Sequence, residues 1–543
     1  MTRFRVLVTD EVDPRGVELL RAEPTLDVNE QPTRPWQELR GEIGEYDAFV
    51  GRSATRLPAE LLRDAKRLRV IGRAGVGTDN IDLSAATALG IAVINAPSGN
   101  TIAVAELFFG ALLSFVRHLP DAFESMRAGR WDRSDLLGTE LSGRSIGIVG
   151  LGRIGGEVAT RARAFNMTVV AYDPYVQRDR FELFRAERAE RLSDLLRRAD
   201  VLTVHTPLTD ETRGIIDADA LAQVSRGAIV ANFARGGIID ETALAGALAE
   251  NRLAGALLDV YTTEPLPADH PLRRANNVLL TPHLGASTVE GQRNVAVDVC
   301  IAVRDALLSG QLSGAVNLAG VDRARWRDLR GALYLARQEA AIARAMLAER
   351  GTKAPEQLTL HFGRQFIGAD SLLGSAAAEG LLAAIMNNDR VNIVNARERA
   401  TERGIALATV ALPPNEEPYA VRVTVSGDGR QLSIGGTATP GAAPRITRIG
   451  DFKVDVAPRR TLVVLTNADV PGVIGQVGTV LGSAGINIAE YHQARMTQGG
   501  EALAAISVDG TVSEQVRRRL LEVASVRSAT VVEGDAQDTD IFE

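Results

Sequence analysis

Cysteine is almost missing from this chain of 543 residues, where Cys300 stands alone. One thiol makes no internal disulfide and no cysteine-based metal cluster, so disulfide frameworks and cysteine-bound zinc are excluded. Lysine is nearly as scarce: Lys66, Lys353 and Lys453 are the only three, which leaves 58 arginines among 61 basic residues. Arginine grips carboxylates and phosphates in a planar fork that lysine cannot reproduce, but an excess spread along the whole chain reads as compositional bias. Long apolar runs are absent too. The longest, AVAELFFGALLSFV at 103–116, is broken by Glu106, Gly110 and Ser114, short of what a membrane span needs. The first residues, MTRFRVLVTDEVDP, enter an alternating strand without a signal-peptide core, and the expected location is cytoplasmic. A net charge of −7 supplies no field to draw nucleic acid. Neither nucleic acid nor membrane is expected as a partner, and no metal.

What is present is repetition of strand and helix. The length calls for several domains. Strands are expected at 4–10, 48–52, 69–74 and 91–96, with helices such as PAELLRDA (58–65) and DLSAATALG (82–90) between them. One long helix is expected over about 100–128. A second series follows at 145–150, 168–173, 201–207, 228–233, 255–260 and 277–283. The pattern predicts an α/β chain with two Rossmann-like, doubly wound lobes. After an amphipathic helix at 288–310 come an α+β stretch and a last βαββαβ module of ferredoxin-like type from Thr461 to Glu533. The acidic tail 534–543 closes the chain.

Within the second series, SIGIVGLGRIGGEVA places Gly150, Gly152 and Gly155 in G-x-G-x-x-G spacing between a strand and a helix. The first glycine suits a tight turn, the second a close approach of backbone to pyrophosphate, and the third close helix–strand packing. The amides of Arg153 and Ile154 open the helix, where an anion is favoured. Asp173 ends the next strand, 18 residues past Gly155. A carboxylate there accepts a ribose hydroxyl and repels a 2′-phosphate, which selects NAD. At the ends of the last three strands lie Arg235, Glu264 and His283. Hydride transfer from a 2-hydroxy acid needs a cation on the carboxylate, a base for the hydroxyl proton, and a carboxylate that orients that base.

The segments GRAGVGTDNIDL, INAPSGNTIAVAEL, GIVGLGRIGGEVA, HTPLTDET, ARGGIIDE, LDVYTTEPL and TPHLGAST, in this order, resemble the D-2-hydroxy-acid dehydrogenase family. The resemblance covers about 3–318 and continues to 533 for the long, regulated branch with an intervening domain and a C-terminal ACT domain. It implies His283 as acid/base, Glu264 as its partner and Arg235 as carboxylate clamp. It also implies cofactor contacts at Thr206, Asp259 and the backbone around Phe233 and Gly285. The implied substrate is phosphorylated, 3-phospho-D-glycerate oxidised to 3-phosphohydroxypyruvate, with Arg52 and Asn100 against it and Arg73 near the phosphate. The loop residues Ser98, Gly99 and Asn100, just before a helix, offer amides to an anion. Arg133 would reach a neighbouring subunit's site, with surface solvation as the competing reading. The other histidines, His118, His205, His270, His361 and His492, read as structural.

By the same resemblance the substrate lobe is 1–97 with 284–318, the NAD lobe 98–283, the intervening domain 319–455 and the ACT domain 459–533. Glycines at both crossings between the lobes suit hinge closure. An amino-acid effector, L-serine by resemblance, would meet Asn467, Asp469, Gly472 and Asn487, the last across a subunit interface. Asn467 stands where some relatives have an aromatic residue. A homotetramer is the expected assembly. Two rival readings stay open at this point: a glyoxylate/hydroxypyruvate reductase, and an NAD-sensing corepressor that keeps the dehydrogenase frame.

Overall fold

The computed structural model describes residues 3–318, 323–383, 385, 390–459, 461–497 and 499–534. The expected tail beyond 534 and the first residues of the expected intervening domain, 319–322, lie outside them. Backbone contacts divide the chain into two compact units: Ala96–Asp298, and the segments up to Asn95 and from Val299 onward. No single helix among the described residues is long and apolar enough to cross a membrane.

The non-contiguous unit begins with a parallel sheet. Its strands are β1 (Phe4–Val8), β2 (Leu26–Glu30), β3 (Ala48–Gly51), β4 (Val70–Arg73) and β5 (Ala92–Asn95), in the order β2-β1-β3-β4-β5. Four match the expected runs; β2 was not among them. It is an edge strand whose Leu26 alone is fully buried, so LDVNE lacks the continuous apolar run that marks an inner parallel strand. The sheet's core includes Leu7, Phe49, Leu61, Ile71 and Val93. Farther on, helices Arg323–Glu349 and Asp370–Ala383 pack on a six-stranded mixed sheet, and Thr461–Glu533 forms a four-stranded antiparallel sheet with two helices.

Within this unit the stretch 390–399 grips the first sheet's loops. Asn392 Nδ2 donates to Gly90 O at 2.7 Å, and Asn395 Nδ2 and Arg399 Nη2 donate to Ala88 O at 3.3 and 3.0 Å. Arg390 donates to Leu68 O. Gly90 has φ +67°, and a Cβ there would lie 2.8 Å from Asn392 Nδ2. The segment VNIVNARERATER thus holds these loops through Asn392, Asn395 and Arg399.

The contiguous unit holds β6 (Ser145–Val149), β7 (Thr168–Tyr172), β8 (Glu187–Arg188), β9 (Val201–Val204), β10 (Ile229–Asn232), β11 (Gly255–Leu258) and β12 (Val278–Leu280). Their order, β12-β11-β10-β9-β6-β7-β8, is parallel throughout. The chain winds outward on both sides from the β6/β9 junction, the switch point at which such sheets bind ligands beyond their carboxyl ends. The expected single helix over 100–128 is two, Thr101–Val116 and Leu119–Arg127, bent by 63°. His118 adopts φ +52° at the break, and Pro120 cannot continue the backbone ladder of the preceding helix.

Candidate active site

The three glycines after β6 meet three different surroundings. Gly150 has φ +93°, and a Cβ there would lie 2.8 Å from both His205 O and Thr206 Cγ2. A Cβ at Gly155 would stand 2.0 Å from Gly150 O, so helix and turn touch only through glycine. Gly152 has nothing within 4 Å, which leaves open space above the turn. Helix Arg153–Ala164 starts there without a side-chain cap, and its first amides are the donors an anion would use. Thr206 Oγ1 is buried with no hydrogen-bond partner. Asp173 Oδ2 accepts from Leu151 N at 2.9 Å and Oδ1 from Tyr175 N at 3.0 Å, which fixes the carboxylate beside the turn. Open space, an uncapped helix start and an orphaned hydroxyl fit a dinucleotide. Arg153 is exposed, Ile154 half-buried and Phe233 buried, so Phe233 has its backbone rather than its ring to offer.

Beyond β10, β11 and β12 the catalytic candidates are built by successive loops. Asn232 is buried; its Nδ2 donates to Arg235 O at 2.8 Å and its Oδ1 accepts from Ala234 N at 3.0 Å, folding the turn that carries Arg235. Arg235 is half-buried, and its Nη1 donates to Ala234 O at 2.7 Å. Gly236 presses on the next loop, where a Cβ would lie 1.9 Å from Tyr261 O. In that loop Glu264 Oε1 accepts from Tyr261 N at 3.0 Å, and the Tyr261 hydroxyl lies 2.8 Å from Thr281 O. Burial pushes the Tyr261 phenol up to about 12, so it stays a neutral donor.

Glu264 Oε2 lies 2.8 Å from His283 Nδ1. That contact leaves Nε2 as the nitrogen available for a substrate proton. His283 holds φ +56°, a conformation rare outside glycine and concentrated at functional sites. Its N–H donates to Asp259 O at 2.8 Å. The Asp259 side chain enforces the same turn from beneath: fully buried, it accepts from Thr281 Oγ1 at 2.6 Å, Leu284 N at 2.7 Å and Gly285 N at 2.8 Å. Burial raises its carboxyl while these three donors oppose the shift. Arg235, Glu264 and His283 are therefore joined loop to loop, and Asp259 visibly anchors the loop of His283.

The substrate candidates divide between the two units. Gly51 and Arg73 are register partners on β3 and β4, which puts Arg52 and Arg73 on adjacent carboxyl ends. Two residues not singled out from sequence hold that edge. Asp10 Oδ2 accepts from Arg52 N at 2.9 Å and Thr55 N at 3.0 Å, and Asn80 Nδ2 donates to Arg52 O at 2.9 Å. The signal was present: Asp10 ends the first strand run and Asn80 lies in GVGTDN. In the contiguous unit, Ser98, Gly99 and Asn100 precede helix Thr101–Val116, and Asn100 Oδ1 and Thr101 Oγ1 are buried without partners. A Cβ at Gly99 would lie 2.5 Å from Val295 Cγ1. Arg133 is exposed in a short turn, Arg133–Asp135.

The effector candidates are not gathered in one place within a protomer. Asp469 N bonds Gly500 O, at the start of strand Glu501–Asp509, whereas Asn487 pairs with Asp509 at its far end. Asp469 Oδ2 already accepts from Arg495 Nη1 at 3.2 Å and Gly499 N at 3.1 Å, contacts that hold its carboxyl below the usual range. Asn467 is buried, its Nδ2 donating to Ala468 O at 2.8 Å. Gly472, at φ +94°, opens helix Val473–Ser483 with no side-chain cap.

Residues 109–285 match the family described as D-isomer specific 2-hydroxyacid dehydrogenase, NAD binding domain. Residues 367–450 match the D-3-phosphoglycerate dehydrogenase intervening domain, and residues 461–525 the ACT domain. The chain is 36% identical over 532 residues to a D-3-phosphoglycerate dehydrogenase of Synechocystis, covering 98% of this chain and 95% of that one. A protein of the same name from Bacillus subtilis is 36% identical over 533 residues, covering 98% and 99%. Among solved structures, a glyoxylate reductase from Paecilomyes thermophila aligns with TM-score 0.54 at 29% identity, over 58% of this chain and 99% of that one. A D-lactate dehydrogenase from Aquifex aeolicus, complexed with NAD and lactic acid, aligns with TM-score 0.50 at 28% identity, over 56% and 96%.

Proposed function

The chain belongs to the D-3-phosphoglycerate dehydrogenase family, and on that premise we propose how its residues divide the NAD-linked oxidation of 3-phospho-D-glycerate to 3-phosphohydroxypyruvate, the entry to serine synthesis. The observation that carries the reading is the Glu264–His283 contact at 2.8 Å on a left-handed histidine backbone. Arg235 receives the substrate carboxylate as a forked donor. His283 Nε2 takes the C2 hydroxyl proton, and Glu264 stabilises the imidazolium that forms. Bound NAD would supply the hydride acceptor for C2. Gly150, Gly152, Arg153, Ile154 and Gly155 would receive its pyrophosphate, Asp173 its ribose, and Thr206, Asp259 and the backbone at Phe233 and Gly285 the remainder. Arg52, Arg73, Ser98, Gly99 and Asn100 hold the phosphorylated acid, and Arg133 serves a neighbouring subunit.

The division of labour proposed along the chain is a substrate lobe at 1–97 with 284–318, an NAD lobe at 98–283, an intervening domain to 455 and a sensing domain at 459–533. L-serine is the proposed effector of the last, held at the start of helix Val473–Ser483 with Asn487 supplied across a subunit boundary. That arrangement suits the separation of Asn487 from Asp469 within one chain. The proposed assembly is a homotetramer in the cytoplasm. NADH formation at 340 nm, compared for phosphoglycerate, lactate and glycerate, tests the activity: preference for the phosphorylated acid supports it, and a preference for either unphosphorylated acid sinks it. Serine titration with sedimentation tests the effector and the assembly.

A further inference from the structure

Glu241 begins helix Glu241–Ala249, directly after Asp240, whose side chain caps the helix by accepting from Thr242 N and Ala243 N. A carboxylate in a first turn ordinarily sits in solvent and gains modestly from the helix dipole. Glu241 does otherwise. Its side chain is only 11% exposed and turns away from its own helix. Oε1 accepts from Thr262 N at 2.6 Å and from Thr262 Oγ1 at 2.8 Å. Oε2 lies 3.2 Å from His270 Nε2. The other nitrogen of that ring, Nδ1, accepts from Leu272 N at 3.4 Å, which assigns the ring hydrogen to Nε2 and makes His270 the donor. From sequence His270 has no evident partner, yet here it supports a carboxylate.

These contacts fall on the loop that carries Glu264. Two successive amides of that loop go to two carboxylates: Tyr261 N to Glu264 at 3.0 Å and Thr262 N to Glu241 at 2.6 Å. The opposite side of the same peptide is covered by Gly236, against Tyr261 O. Arg235 and Glu241 bracket one short segment of chain, so one end of it carries the clamp and the other holds the loop of the base's partner.

We propose that Glu241, supported by His270, is a positioning residue that fixes the Glu264 loop to the Arg235 turn and so keeps Glu264 on His283. The inference rests on the roles proposed above for Arg235, Glu264 and His283. Removing the carboxylate frees Thr262 N and lets the loop drift. A misplacement of about 1 Å at a reacting geometry costs on the order of 10²-fold in rate.

The test is steady-state kinetics of the full chain well below each variant's melting temperature, with NAD binding measured separately by fluorescence. Glu241→Ala is expected to lower kcat by about 10- to 100-fold, with NAD affinity within about threefold of the parent. In Glu241→Gln the amide oxygen still accepts from Thr262, and His270 accepts from the new amide by moving its ring hydrogen to Nδ1. That move gives up only the long 3.4 Å bond from Leu272 N, so activity returns to within about fivefold. A purely structural role would leave kcat untouched in the folded variant. Full kcat in folded Glu241→Ala, or no rescue by Gln, overturns the proposal. A second readout needs no substrate and separates this idea from the assigned reaction. The ring resonance of labelled His283 should move in Glu241→Ala toward its position in Glu264→Gln, whatever acid the parent oxidises. An unmoved resonance also overturns the proposal.

Discussion

His205 ends β9 with a largely buried ring. Its Nε2 lies 3.0 Å from Thr203 Oγ1, its Nδ1 is buried with no partner, and the ring meets Phe108 edge-on at 6.1 Å. Burial without a countercharge lowers its pKa from 6.5 to about 3. The folded-state value is depressed, so below about pH 6.5 the unfolded chain takes up a proton that the folded chain refuses. Stability is then lost as pH falls through that window toward 3, and none is lost above it. Between about pH 7.5 and pH 5 the loss is about 2 kcal/mol. Any folded value below about 4 gives the same loss at pH 5, because the unfolded state's proton uptake sets it. For a unit of this size that corresponds to roughly 4–8 °C in Tm. His205→Gln keeps a partner for Thr203 and removes the titration. Calorimetry of both proteins at the two pH values should show the parent falling by that extra margin. Equal falls in both would refute the assignment of a neutral, buried imidazole at 205.

The glycine turn offers a contrast between two substitutions of one kind. Gly152→Val enters open space, so Tm should hold while the Kd for NAD rises at least about tenfold; Gly155→Val drives a Cβ into Gly150 O and should lower Tm, at a cost of about 1–3 kcal/mol. Replacing Asp173 by Ser removes the carboxylate beside the turn, and the ratio of kcat/KM for NAD over NADP should fall at least about tenfold. Gly90→Ala strains a positive φ and meets Asn392 and Asn395; limited proteolysis within 390–399 should quicken without a change in NAD affinity.

Much of this molecule is legible in its sequence, and the parts that are not share a cause. The inner strands of both parallel sheets are largely apolar runs, unlike the edge strands β2 (LDVNE) and β8 (ER), and the glycines at 150, 152 and 155 announce themselves by spacing. Local chemistry fixes both. β2 escapes because one buried leucine suffices for an edge strand. The break at His118 escapes because helical spacing of apolar residues persists across it. Asp10, Asn80, Asp259 and Glu241 do their work through hydrogen bonds to backbone far along the chain. No pattern of neighbours reveals which carboxylate will turn inward.

The central claim is that His283 carries the proton. The direct measurement is turnover of His283→Asn on phosphoglycerate, beside equilibrium titration of NAD to the same preparation. Turnover should fall by at least the 10²- to 10⁴-fold that a general base contributes, with the NAD Kd little changed. A variant that oxidises the acid at the parent rate would contradict the account.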